Sequence, residues 1–163
     1  EDVLDFTRKP TEKVHNISLE AVTERCLKII TTSARKKGIN IEKEFPKNLP
    51  NFLANRNKIT QIFLNLINNS IEASPEKSTI SIKCYEQCGG DNKFIVWEVE
   101  DFGCGINPEN IERINQGFFT TKSNGHGIGL GVCKKLADEI NAELNFKSEL
   151  GKGTTFFVKF KLN

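Results

Sequence analysis

The stretch NLINNSIEA, residues 65–73, decides how this chain is interpreted. It ends a segment, residues 56–73, in which apolar side chains recur every three or four positions, the spacing of a helix with one buried face. Asn65 and Asn69 lie four residues apart and therefore share one face of that helix. Asparagine is a poor helix former, so the pair indicates a use for the amide oxygens, for instance toward a hydrated Mg²⁺ that bridges phosphates. Amides that face solvent are the alternative.

Two further polar signals lie downstream of this helix. In DFGCGI, residues 101–106, a carboxylate follows a predicted strand and precedes two glycines, where it can accept a hydrogen bond from an amino group on a purine ring. An aspartate that caps a turn is the alternative. In GHGIGLG, residues 125–131, glycines lead into a predicted helix, so unpaired backbone N–H groups and the helix dipole would meet an anion such as a triphosphate. A flexible loop is the alternative there.

The rest of the chain alternates between helical and extended patterns. Helical spacing predicts helices over residues 18–37 and 132–140, with a possible short helix after Pro108. Alternating patterns predict two short strands near 39–45 and 52–54, a hairpin of 79–85 and 94–99 with its turn at 88–92, and a second hairpin of 142–148 and 154–162. These elements predict an α+β sandwich in which helices cover one face of a mixed sheet.

Composition limits the possible function classes. With 163 residues the chain is about one domain long, and no apolar run reaches the roughly 18 residues of a membrane span. Residues 1–10 lack a signal-peptide pattern, and a diffuse net charge of +2 makes nucleic acid an unexpected partner. Residues 1–17 are polar and are interpreted as the end of an upstream element and a linker, with His15 as a linker residue, which leaves 18–163 as the folded domain.

Five cysteines form no zinc-binding pattern and are interpreted as reduced thiols of a cytosolic protein. Cys84 and Cys88 could form a redox pair, but they lie at the end of a predicted strand rather than at a strand-to-helix turn. We therefore expect neither thiol to act as a catalyst.

Taken together and in order, these segments resemble a known family. The chain is similar to the ATP-binding catalytic domain of bacterial sensor histidine kinases, in the superfamily shared with the ATPase component of DNA gyrase, the Hsp90 chaperones and MutL. The resemblance covers residues 18–162 and implies a Bergerat fold, a two-layer sandwich with a mostly antiparallel mixed sheet. Its five motifs are the N box at 61–73, the first glycine box at 101–106, the F-box core at 118–122, the second glycine box at 125–131 and the third at 151–156.

The resemblance implies roles for individual positions. Asn69 corresponds to the asparagine that coordinates Mg²⁺, and Asn65 to its supporting partner. Asp101 corresponds to the carboxylate that reads adenine, with Thr154 beside it, and Gly103 and Gly105 would let the nucleotide pass over the backbone. The phosphates would be lined by residues of the second glycine box, with Lys122 and His126 as polar contacts from the lid. The full set of implied nucleotide contacts is Asn65, Asn69, Ala73, Asp101, Gly103, Gly105, Ile106, Lys122, Gly125, His126, Gly127, Gly129, Leu130 and Thr154.

One position separates the chemistries found in this superfamily. Hydrolytic relatives carry a general-base glutamate where this chain has Asn65, whose amide cannot take a proton. The resemblance therefore implies transfer of the γ-phosphoryl of ATP to a histidine on a separate, dimeric helical hairpin domain, for relay to a response regulator in the cytoplasm. His15 lacks the acidic residue that usually follows the acceptor, so we do not assign it that role. A hydrolytic ATPase, a serine-directed kinase of the anti-sigma type and a scaffold with a degenerate pocket are the alternatives.

Overall fold

The computed structural model describes residues 13–115 and 128–162. These residues form four helices, α1 (Leu19–Lys37), α2 (Arg56–Ala73), α3 (Pro108–Asn115) and α4 (Ile128–Glu139). The strands are β1 (His15–Ile17), β2 (Asn40–Glu44), β3 (Phe52–Ala54), β4 (Thr79–Gly89), β5 (Asn92–Asp101), β6 (Glu143–Glu149) and β7 (Gly153–Lys161). Within this part of the chain, no helix combines the length and the apolar composition that a membrane span requires.

The main sheet has five strands in the order β2-β4-β5-β7-β6. Only β2 and β4 run parallel; the other neighbours are antiparallel. Along β7 and the first half of β4, buried residues alternate with more exposed ones, because one face of the sheet carries the helices and the other does not. The predicted fold class, an α+β sandwich built on a mixed and mostly antiparallel sheet, is confirmed.

The core lies between this sheet and the helices, with α2 packed between α1 and α4. The ring of Phe63 on α2 stacks on Trp97 of β5, with 3.8 Å between ring centroids. The indole N–H of Trp97 donates to the Thr23 hydroxyl of α1 over 3.0 Å, which satisfies a buried donor that would otherwise be costly. The stack and this hydrogen bond fix α1 and α2 against the centre of the sheet.

The C-terminal end of α2 is held by side-chain and backbone donors from other elements. The Lys37 ammonium group at the end of α1 donates to the backbone carbonyls of Ile71 and Glu72, over 2.8 and 2.9 Å. The carbonyl of Ala73 accepts from the backbone N–H of Cys104 over 3.3 Å. Carbonyls at a helix end have no partner within the helix, so these contacts determine where α2 ends relative to β5.

The structure differs from the predicted elements at three places. Helix α4 begins at Ile128 rather than at 132, because Leu130 packs against the core and outweighs the low helix propensity of the neighbouring glycines. Strands β4 and β5 continue to a two-residue turn in which Gly90 has φ 62°. Residues 15–17, expected in a linker, pair with β3 as strand β1, and Ile17 is buried. The assignment of residues 1–17 to an upstream element stays a prediction.

Candidate nucleotide-binding site

Asp101 ends β5 and lies at the centre of the candidate site. Its side chain is buried, with 2% of the residue exposed. The Oδ1 atom accepts two backbone hydrogen bonds, from the N–H of Gly103 over 3.0 Å and from the N–H of Thr154 over 3.3 Å. The Oδ2 atom is equally buried and accepts no hydrogen bond from the described residues. Two backbone donors therefore fix the orientation of the carboxylate, and one buried oxygen is left available for a ligand.

Burial raises the pKa of the Asp101 carboxyl, because desolvation penalises its charged form. The two backbone N–H groups and the hydroxyl of Ser70 act in the opposite direction, and the negative charge of Glu100 adds to the increase. Ser70 lies on α2 and is fully buried, yet its Oγ has no partner at hydrogen-bonding distance among the described residues. Ser70 is absent from the contacts expected on sequence grounds, since a serine within a helix carries no signal of its own.

Three glycines near Asp101 pack directly against protein backbone. A Cβ on Gly103 would lie 2.1 Å from the Ala73 carbonyl oxygen, and one on Gly105 would lie 2.1 Å from that of Glu149. A Cβ on Gly153, whose φ is 132°, would meet the Asp101 carbonyl oxygen at the same distance. On sequence grounds, Gly103 and Gly105 are expected to let a nucleotide pass. The structure shows a further reason for these glycines, because each lets two chain segments approach more closely than any side chain allows.

Ser148 on β6 connects the first and third glycine boxes, and sequence reasoning missed it as well. Its Oγ accepts from the N–H of Ile106 over 2.8 Å, donates to the carbonyl of Gly153 over 3.2 Å, and lies 2.8 Å from the hydroxyl of Thr154. If its single proton goes to the Gly153 carbonyl, the Thr154 hydroxyl must be the donor to Ser148. The lone pairs of the Thr154 hydroxyl then remain free to accept beside Asp101. Nothing in the local sequence indicates these hydrogen bonds of Ser148.

The two N-box asparagines lie on α2 as predicted, and both are half-buried. Asn65 contacts the thiol of Cys133 on α4, where it lowers a pKa that burial raises to about 11. Asn65 thus connects α2 with α4 at the helix interface. Asn69 lies one turn further along α2, immediately before Ser70. Among the described residues there is no cluster of three histidine, cysteine or acidic side chains that could hold a metal by themselves.

The remaining predicted contacts fall near the first turn of α4 or outside the described residues. Gly129 and Leu130 lie in that first turn, and the Leu130 side chain packs against the core, so that it could offer a phosphate only its backbone. Ala73 and Ile106 use their backbone groups within the protein, since the Ala73 carbonyl accepts from the Cys104 N–H and the Ile106 N–H donates to Ser148 Oγ. Lys122, Gly125, His126 and Gly127 lie outside the described residues, as does the F-box core at 118–122.

An open cavity of about 550 Å³ lies at the same end of the sheet, and Asp101 and Thr154 belong to its lining. It is lined in part by Glu100, Lys147 and Thr155, which are cross-strand neighbours on β5, β6 and β7. Strand alternation places these three side chains on the face opposite to the side chains of Asp101 and Thr154. The lining of the cavity therefore draws on residues from both faces of the sheet at this end.

Comparison with known proteins identifies the family of the chain. Residues 54–163 match the family described as "Histidine kinase-, DNA gyrase B-, and HSP90-like ATPase". The chain belongs to this ATPase family. Family membership supports ATP as the ligand, and it confirms the resemblance that the ordered motifs indicated.

Histidine kinases are among the proteins whose sequences are similar to this chain. Sporulation kinase C of Bacillus subtilis is 32% identical over 154 residues, which are 93% of this chain and 34% of the relative. The signal transduction histidine-protein kinase AtoS of Escherichia coli is 26% identical over 163 residues, 100% of this chain and 26% of the relative. The chain thus spans about a third or less of the length of these curated relatives.

Solved structures agree with the fold. The nucleotide-free catalytic domain of histidine kinase ThkA superposes with a TM-score of 0.72 at 25% identity, covering 92% of this chain and 96% of that domain. Full-length ShkA, solved in complex with AMPPNP, has a TM-score of 0.79 at 24% identity over 99% of this chain and 35% of ShkA. Within its family the chain corresponds to the catalytic domain of histidine kinases, and the hydrolytic and serine-directed alternatives are not favoured.

Proposed function

We propose that this chain binds Mg-ATP and presents the γ-phosphoryl group to a histidine on a separate helical domain. The observation that carries the proposal is the asymmetry of the Asp101 carboxylate. Oδ1 is taken by two backbone N–H groups, whereas Oδ2 is buried without a partner among the described residues. An unpaired buried acceptor is unfavourable unless a donor reaches it. The exocyclic amino group of adenine is such a donor, and adenine is the base of ATP, the nucleotide after which this ATPase family is named.

The base would lie between α2 and the sheet. Asp101 would accept from the amino group, and the lone pairs of the Thr154 hydroxyl would face the base edge directly or through a water molecule. The ribose and phosphates would then extend along α2 toward Asn69 and the first turn of α4. Backbone N–H groups at the start of a helix favour an anion, and this first turn contains Gly129 and Leu130. Lys122, Gly125, His126 and Gly127 remain predicted contacts to the phosphates.

The magnesium ion is assigned to Asn69 together with phosphate oxygens and water. An amide oxygen next to phosphates suits Mg²⁺, which prefers oxygen ligands and keeps several waters. The lack of an acidic cluster among the described residues agrees with a metal that arrives with its nucleotide rather than one held in an all-protein site. When bound, the ion would neutralise charge on the phosphates. The contribution of the chain is to hold Asn69 on a helix whose end is fixed against β5.

The transfer step needs an outside nucleophile. Asn65, at the place of the general base in hydrolytic relatives, contacts a thiol and carries no group that could activate water. The domain would therefore act through positioning of the phosphoryl group and stabilisation of its charge. The full-length protein would supply the acceptor histidine on a dimeric helical hairpin, pass the phosphoryl group to an aspartate of a response regulator, and act in the cytoplasm. Residues 1–17 would connect to that hairpin, and residues 18–163 would form the catalytic domain.

Nucleotide binding tests the first half of the proposal. Isothermal titration of the chain with ADP and with a non-hydrolysable ATP analogue should show binding that Mg²⁺ strengthens for the triphosphate. Asp101→Asn should weaken both nucleotides by at least roughly tenfold, because its amide would place a donor where the adenine amino group needs an acceptor. Asn69→Ala should abolish mainly the gain from Mg²⁺. Equal affinity of the wild type and Asp101→Asn for ADP would refute the assignment of the base.

Phosphoryl transfer tests the second half. The chain is mixed with radiolabelled ATP and a helical-hairpin domain that carries a candidate acceptor histidine, and the labelled product is treated with acid and with alkali. A phosphohistidine is labile to acid and stable to alkali. An acid-stable product, or rapid release of inorganic phosphate by the chain alone, would indicate a serine-directed kinase or a hydrolase instead.

A further inference from the structure

Ser70 and Asp101 form a buried pair whose polar atoms are only partly used. Both residues are buried, at 0% and 2% exposure. The Oγ of Ser70 and the Oδ2 of Asp101 are the two buried side-chain atoms without a hydrogen-bond partner in the described part of the chain. The Ser70 hydroxyl is nevertheless close enough to favour the ionised carboxylate. The end of α2 meets the turn after β5 through the Cys104 N–H and the Ala73 carbonyl, and two buried polar atoms without a partner at this junction indicate a site completed by a ligand.

The position of Ser70 on α2 makes this arrangement specific. The next buried serine on the same helix end, Ser74, bonds its hydroxyl to the Ser70 backbone carbonyl over 2.6 Å and thus serves the helix itself. The Ser70 hydroxyl makes no such bond, although serine hydroxyls within helices commonly bond to the carbonyl four residues earlier. Alanine is the better helix former, and it would leave no buried hydroxyl unpaired. Helix stability therefore does not explain Ser70.

We propose that Ser70 determines which purine the site accepts, by donating its hydroxyl proton to Asp101 Oδ2 alongside the exocyclic amino group of the base. A carboxylate oxygen can accept both donors at once. With Oδ1 held by the two backbone N–H groups and Oδ2 held by Ser70, the carboxylate keeps its negative charge and acts only as an acceptor. A purine with a carbonyl group at this place would set oxygen against oxygen and be rejected. This inference rests on the proposed function and adds a specificity-determining residue to it.

A chemical double-mutant cycle tests the proposal. Wild type and Ser70→Ala are each titrated with ADP and with purine riboside diphosphate, which has hydrogen in place of the amino group. Loss of the hydroxyl should weaken ADP about tenfold, the size expected for a hydrogen bond to a charged group, and weaken the analogue by less than about twofold. Inosine diphosphate, with a carbonyl group at that position, should bind Ser70→Ala relatively better than it binds the wild type. Ser70→Thr, which keeps a hydroxyl, should restore the preference for ADP.

Ser74→Ala provides the matched control. It removes a buried hydroxyl from the same helix end, so it should lower the melting temperature while the ratio of ADP to analogue affinity stays at the wild-type value. If Ser70→Ala weakens both nucleotides equally, Ser70 is a structural residue and the inference is overturned, although the proposed function stands. If the wild type does not discriminate ADP from the analogue, or binds neither, the base assignment to Asp101 fails, and the inference fails with it.

Discussion

Substitution of Gly103 by alanine tests the close approach of the first glycine box to α2. A Cβ at this position would lie 2.1 Å from the Ala73 carbonyl oxygen, 2.7 Å from its carbon and 3.1 Å from Asp101 Oδ1. Real Cβ atoms keep at least 3.0 Å, so the turn after β5 must move away from α2 by about 0.9 Å. Gly103 has no positive φ, so backbone strain adds nothing to this clash.

Such a movement breaks identified contacts. The hydrogen bond from Cys104 N–H to the Ala73 carbonyl, now 3.3 Å, would lengthen to roughly 4 Å and be lost. The bond from Gly103 N–H to Asp101 Oδ1, at 3.0 Å, would weaken. Overpacking and one lost hydrogen bond together predict a loss of about 3 kcal/mol in the free energy of unfolding. For a chain of this length that is a decrease of roughly 10 °C in melting temperature. Nucleotide affinity should fall more than tenfold, since Asp101 loses its alignment.

The assay is urea unfolding followed by Trp97 fluorescence, together with ADP titration under native conditions. Gly89→Ala is the matched control, because Gly89 also has no positive φ and its Cβ would make only an ordinary contact, 3.4 Å from the Phe94 ring. That variant should stay within about 0.5 kcal/mol of the wild type and bind ADP normally. A Gly103→Ala chain with wild-type stability and wild-type affinity would refute the steric argument.

Three further outcomes are expected. Because the pKa of Asp101 is raised in the folded state, the folded chain binds its proton more readily than the unfolded chain does. The unliganded chain should therefore gain stability from this group as the pH falls from about 7 toward 4, while its affinity for ADP declines. Asp101→Asn should remove both trends. Thr23→Val takes away the acceptor of the Trp97 indole N–H and should cost about 1–3 kcal/mol in urea unfolding without a change in ADP affinity; a loss of ADP binding would contradict the separation of core and site. Iodoacetamide should label two thiols in the native chain, the exposed Cys88 and Cys104. The other three cysteines are buried, and burial raises the pKa of their thiols to about 11 or 12. Mass spectrometry counts the attached labels, and a third label before unfolding would contradict the burial of these thiols.

Much of the fold could be predicted because its signals are local. The helical spacing of residues 56–73 predicts α2 with the bounds that the structure shows, since every apolar position that repeats there is needed on one face. The start of α4 could not be predicted, because it depends on packing of Leu130 against a core made of distant residues. The pairing of residues 15–17 with β3 was missed for the same reason, since a three-residue strand has no periodicity of its own.

The candidate site divides in a similar way. The family resemblance, rather than the hairpin patterns, placed Thr154 beside Asp101, and the register of β5 against β7 pairs the two residues directly. The roles of Gly103 and Gly105 were predicted only in part, because the need for glycine comes from backbone segments that approach across the fold. The predicted contacts of Asn65, Asn69 and the second glycine box with nucleotide and metal stay predictions.

Local patterns in this chain are thus sufficient to predict its main helices and hairpins, because spacing and residue type act over a few neighbouring positions. The expected role of Asp101 as an acceptor for a purine comes from the family resemblance. Tertiary packing alone decides which atoms of that acceptor are free. Two backbone N–H groups, from Gly103 and from Thr154, occupy one oxygen of Asp101 and leave the other buried without a partner among the described residues. Gly103 is only two residues from Asp101, whereas Thr154 is remote in sequence, and folding is what brings the Thr154 N–H to the carboxylate at 3.3 Å.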